Sequence, residues 1–87
     1  MSARIRATIL RLLDQRQPGA TICPSEAARV LWPGEWRRHM NEVRETAARM
    51  ARIGELEICQ GGSVVDPAAI RGPVRLGRRG LSGRGDL

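Results

Sequence analysis

Proline and glycine breaks divide this chain at Pro18-Gly19, Pro33-Gly34, Gly54, Gly61-Gly62 and Gly72-Pro73, and their spacing limits what can fold between them. A residue preceding proline disfavours helix, and glycine tolerates the left-handed backbone found just past a helix, so these sites end elements. The stretches before Gly54 can each hold a helix. Those after it hold short strands or a single turn. With 87 residues in all, the chain has room for one domain and not for two, which excludes enzyme-sized architectures.

The periodicity between the breaks says which element each stretch forms. Ile5, Ile9, Leu12 and Leu13 recur at i, i+4, i+7 and i+8, with Arg4, Arg6 and Arg11 elsewhere round the wheel, which predicts an amphipathic helix ending near Gln15 to Gln17. Thr21-Ile22 extends briefly. A second helix starts at Pro24, where a missing N–H costs nothing and Glu26 suits the positive helix end. Ala27, Val30 and Leu31 are expected to form its apolar side. A third helical stretch runs from about Glu35 to Ile53, with a joint near Met40-Asn41 where Asn41 is expected as N-cap. Val43, Ala47, Met50 and Ile53 form its expected core stripe, and Gly54 ends it.

Beyond Gly54 the period changes to two. Leu56 and Ile58 alternate with Glu55, Glu57 and Cys59, and Gly61-Gly62 permits a two-residue hairpin turn. Ser63 to Val65 is expected to return antiparallel, setting Ile58 opposite Val65 on the core side. Asp66-Pro67 caps and opens one helical turn through Ile70, after which Val74-Arg75-Leu76 extends. The order, three helices with a short strand between the first two and then a hairpin, predicts a mostly helical α+β fold of the winged-helix kind. The domain is expected over residues 1–76, followed by a disordered Arg/Gly tail at 77–87.

The chain also resembles a known family, the bacterial winged-helix-like domain of unknown function 3253. The likeness lies in Ile9-Leu10-Arg11-Leu12-Leu13, Thr21-Ile22-Cys23-Pro24-Ser25-Glu26, Trp36-Arg37, Glu42-Val43-Arg44, the stretch from Gly54 to Gly61, and Asp66-Pro67 followed by Arg71-Gly72-Pro73. It implies a fold and carries no activity or functional residue with it.

Charge supplies the functional reading. All 15 basic residues are arginine and the net charge is +6. A winged helix commonly places its third helix in the major groove. The arginine fork suits phosphate, but a GC-rich genome replaces lysine by arginine everywhere, so the position of the charge is informative and the absence of lysine is not. Arg37, Arg38 and Arg44, expected on the front half of the third helix, are the candidate groove contacts. Arg75, Arg78 and Arg79 are the candidate phosphate contacts of the basic C-terminal region. The expected partner is double-stranded DNA, in a small regulatory role. Glu55, Glu57 and Asp66 weigh against this, because an acidic hairpin beside phosphates is repelled. The competing reading is a protein-interaction or homodimerisation module in which that hairpin meets a partner.

The remaining features are read more plainly. Trp32 and Trp36 are expected as plugs over the core. Cys23 and Cys59 are expected as reduced, buried thiols, since two cysteines make no disulfide framework. His39 and the cysteines lack metal-ligand spacing, so neither a metal nor a cofactor is expected. No nucleophile stands beside a base, which excludes catalysis and with it a small-molecule substrate. No apolar run approaches the ~20 residues of a membrane span, and the N-terminal residues carry no secretory signal, so a cytoplasmic location is expected.

Overall fold

The structure is a computed structural model that describes residues 2–79. Helix α1 spans Ala3–Gln15 and opens on Ser2, whose hydroxyl accepts the Ile5 N–H at 3.2 Å. Its buried stripe is Ile5, Thr8, Ile9, Leu12 and Leu13, and the chain becomes extended at Arg16 ahead of Pro18-Gly19. Helix α2 spans Pro24–Leu31. The Glu26 carboxylate accepts the Cys23 N–H at 2.7 Å and so holds the first turn closed.

A 3-10 turn over Trp36–His39 leads directly into helix α3, Met40–Arg52, which buries Val43, Thr46, Ala47, Ala48 and Met50. Asn41 is therefore inside the helix and does not cap it. The cap position belongs to His39, because the 3-10 turn leaves Met40 already helical, at φ −60° and ψ −38°. Helix α3 stops at Gly54, whose φ is +85°. Two expected core residues are outside the core. Val30 is 46% exposed and Ile53 61%. At 100° per residue, Val30 lies roughly 110° round α2 from the stripe of Pro24, Ala27, Ala28 and Leu31, and Ile53 follows the last helical residue of α3.

Strand β1 (Glu57–Gln60) pairs antiparallel with β2 (Ser63–Val64) across Gly61-Gly62, both at positive φ. Cys59 faces Val64 and the Val65 N–H donates to the Ile58 carbonyl at 2.8 Å, so Ile58 and Val65 are opposed as expected. The hairpin is not the whole sheet. Strand β3 (Arg75–Gly77) pairs with the other edge of β1, giving the order β2-β1-β3, and Ile22 bridges to Leu76 beyond it. Ile22, Leu76 and Ile58 thus form one buried row beneath the helices, each no more than 1% exposed. Their burial stabilises the domain by ~1.5–3 kcal/mol apiece.

The fold is α+β, with three helices packed on a small antiparallel sheet in a winged-helix-like arrangement. Residues 77–79 belong to it, since β3 runs to Gly77 and Arg78 pairs with Asp14. The rest of the expected tail, residues 80–87, lies outside the described residues. Between β1 and β3 the chain passes through β2 and a second 3-10 turn, Pro67–Ala69, capped by Asp66, whose carboxylate accepts the Ala68 N–H at 2.9 Å. That excursion is tied down at its return. Gln60 donates to the carbonyls of Arg71 and Pro73, and Arg44 donates to the Gly72 carbonyl at 2.9 Å.

Candidate nucleic-acid interface

The arginines divide by what holds them. Arg6 pairs with Glu55, its Nε donating to the two carboxylate oxygens at 2.8 and 2.9 Å. This hydrogen bonding lowers the pKa of the Glu55 carboxyl against the opposing effect of burial, and the guanidinium charge lowers it further. Arg16 pairs with Glu26, Arg38 with Glu35 and Arg78 with Asp14. At a distance each such couple presents almost no net charge.

A second group is held by neutral partners. The guanidinium carbons of Arg29 and Arg37 each lie 4.3 Å from the centre of the Trp36 ring, and that of Arg4 lies 5.9 Å from Trp32. An indole face attracts a cation through its quadrupole without cancelling the charge, and the donors of a stacked guanidinium point outward in its plane. The rings are themselves fixed. Both are half-buried against the core, and Trp32 stacks on the His39 imidazole at 3.8 Å with 7° between planes. His39 Nδ1 meets Glu42 at 2.8 Å. The tryptophans are thus not simple plugs, because each offers its outer side to arginine.

The six sequence candidates are not gathered into one face. Arg37 and Arg38 sit on the 3-10 turn ahead of α3, the first over an indole and the second against a carboxylate. Arg44 is half-buried and spans to Gly72. Arg75 is bound to Thr21 through both the hydroxyl and the carbonyl, at 2.9 Å each. Arg78 and Arg79 lie beside the C-terminal end of α1, in a different part of the molecule. The expected single positive region is divided, since tertiary packing gives several arginines carboxylates distant in sequence.

Structure also adds residues. Arg4 and Arg29 enter through their tryptophans, and the signal for Arg29 was present in the interleaving Arg29, Trp32, Trp36, Arg37 around Pro33-Gly34. Arg4 has no such local sign. The outward side of α3 carries Asn41, Glu42, Glu45, Arg49 and Arg52, all exposed. The acidic hairpin is milder than expected. Glu55 is neutralised by Arg6, Asp66 caps a turn, and residues 60–63 at the tip contain no carboxylate.

Cys23 and Cys59 are free thiols, half-buried where full burial was expected. Burial, and secondarily the charge of Glu57, raise the Cys59 pKa and keep it in the thiol form. Among the described residues no group of His, Cys, Asp and Glu could hold a metal. No helix described is long and apolar enough to cross a membrane.

The family model for the protein of unknown function DUF3253 matches residues 2–79, which is the whole described fold. The chain belongs to the DUF3253 family. A search of curated proteins finds no match to it. The DUF3253 match thus covers every residue of the arginine–tryptophan surface and of α3.

Proposed function

We propose that this domain binds double-stranded DNA, in a regulatory role, through α3 and the arginine–tryptophan surface that precedes it. The observation that carries the reading is the way Arg4, Arg29 and Arg37 are held: positioned by indole faces and left uncompensated by any carboxylate among the described residues. Cations that are fixed but not neutralised are what a phosphate backbone selects.

The charge distribution along α3 refines the contact. Glu42 and Glu45 on its outward side disfavour laying the first half of the helix against phosphate. The proposed backbone contacts therefore lie at its two ends, Arg29 and Arg37 before it and Arg49 and Arg52 in its last turns. A 13-residue helix is roughly 20 Å long and the major groove about 12 Å wide, so the two ends reach the backbones on either side. Asn41 and Glu45 then face the bases. An amide there pairs with adenine, and a carboxylate accepts from the cytosine amino group.

The test uses the two tryptophans, which are the chain's only aromatic residues apart from His39. Titration with random-sequence duplex DNA at low salt is expected to raise the anisotropy of a labelled duplex and to change tryptophan emission in parallel. No binding at about 50 mM salt sinks the reading, since the electrostatic attraction is strongest there. Self-association without DNA binding would favour the protein-interaction reading, for which the exposed Val30 and Ile53 are the supporting observations.

A further inference from the structure

After β1 the chain makes an excursion, residues 61–74, and rejoins the sheet at β3. The last corner of that excursion is held by side chains from two other elements. The Gln60 amide, at the end of β1, donates to the carbonyls of Arg71 and Pro73, and the guanidinium of Arg44, on α3, donates to the Gly72 carbonyl between them. Three successive carbonyls are thus taken by protein donors. Residues 71–73 are exposed, so water would satisfy those carbonyls as well. What the side chains add is a fixed shape, which Gly72 at φ +69° and the locked ring of Pro73 reinforce.

The excursion has one carboxylate and one cation. Asp66 caps the 3-10 turn, accepting the Ala68 N–H at 2.9 Å. Arg71 is exposed and takes part in none of the ion pairs among the described residues. The hydrogen bond from Arg44 shows where this cation stands. At 100° per residue Arg44 lies roughly 60° round α3 from Asn41, and Arg49 lies roughly 80° round on the other side. The 3-10 turn Pro67–Ala69 also packs on α3. The corner therefore borders the outward face of α3 on the flank away from Arg49.

We propose that Arg71 is a further DNA-backbone contact, made beside α3, and that Gln60 is its positioning residue. The proposal rests on the double-stranded DNA reading and deepens it. A corner fixed before binding leaves only the Arg71 side chain to be ordered when it meets a phosphate, and preorganisation of this kind lowers the cost of association. Arg44 tethers the corner to α3, so that strap and helix approach the duplex together. Its role is then to hold the Gly72 carbonyl, and the groove contact expected of it passes to the neighbouring strap.

Salt-dependent anisotropy titrations of the full chain with a labelled random-sequence duplex test both roles. Arg71→Gln, at an exposed side chain, should weaken binding roughly eightfold at ~0.1 M salt and make the slope of log K against log salt shallower by about 0.9. Gln60→Leu changes no charge, yet should weaken binding about threefold or more, since Arg71 must then be ordered during association, and should also make the slope shallower. In the Arg71→Gln background the same replacement should change affinity by less than about twofold, because nothing remains to be positioned. A parent that forms no complex at low salt removes this proposal together with the reading beneath it. A parent that binds while Arg71→Gln stays within twofold of it overturns this proposal alone. Losses that add in the double variant, or a Gln60→Leu variant that is less stable but keeps the parent's slope, would overturn the positioning role of Gln60.

Discussion

Arg37 and Arg38 are neighbours on one 3-10 turn, yet deleting their charges should have different consequences for DNA binding. Arg37 is held by Trp36 and Arg38 by Glu35. Replacing Arg38 alone would not separate the cases, because it strands the Glu35 carboxylate and shifts the local charge by the same unit. The informative comparison is Arg37→Gln against the double replacement Glu35→Gln/Arg38→Gln, which removes a cation together with its counter-charge. Each phosphate contact contributes about 0.9 to the slope of log K against log salt. At ~0.1 M salt one lost contact is therefore a weakening of roughly eightfold, or ~1.2 kcal/mol. Arg37→Gln should show that loss and a slope shallower by about 0.9 in anisotropy titrations between ~50 and ~200 mM salt. It should also cost ~0.5–1 kcal/mol of stability through the lost contact with Trp36. The double variant should stay within about twofold of the parent, as a pair already neutral at a distance releases no counterion. Equal losses in the two, or an unchanged slope in Arg37→Gln, would refute the distinction between held and neutralised arginines.

Other consequences are structural. Leu76→Ala removes the residue that joins Ile22 to Ile58 across the sheet, is fully buried, and should lower stability by ~2–5 kcal/mol in urea unfolding; a loss under ~1 kcal/mol would mean that β3 is not part of the core. Glu55 has a folded-state pKa lowered chiefly by its hydrogen bonds to Arg6, so its stabilisation is present above the ordinary carboxylate range and is lost as pH falls through the lowered pKa. Melting temperatures from pH 7 downward should accordingly show the parent losing its advantage over Glu55→Gln on acidification, and parallel curves would contradict this. Gly54→Ala forces a side chain to φ +85° and should cost about 1 kcal/mol in the same unfolding assay, with no effect contradicting the need for a left-handed residue there.

The local elements were legible in the sequence because their causes are local. The spacing of Ile5, Ile9, Leu12 and Leu13, the proline at position 24, and the glycines at 54, 61 and 62 each act within a turn of themselves, and the structure places those boundaries and the hairpin register where they were expected. The pairing of β3 was hidden for the opposite reason. Three residues have no period to read, and their partners Glu57, Ile58, Cys59 and Ile22 are brought to them only by the completed fold. Val30 and Ile53 are apolar by composition but lie off the stripes that face the core. The same holds for charge. Counting arginines along the chain gives the net +6, but Arg6 meets Glu55 across 49 positions, and Arg78 meets Asp14 across a longer gap. Which arginines stay uncompensated is a tertiary property, and the candidates Arg38 and Arg78 differ from Arg37 only through it.

Binding of random-sequence duplex DNA as a function of salt addresses the claim that uncompensated guanidiniums make this domain a nucleic-acid binder. Contacts from Arg29, Arg37, Arg49 and Arg52, with Arg4 on the same surface as a fifth, imply a slope of log K against log salt of about −3.6 to −4.5, so affinity should fall by two to three orders of magnitude between ~50 and ~200 mM salt. A slope indistinguishable from zero, or no measurable complex at the lower salt, would contradict the account.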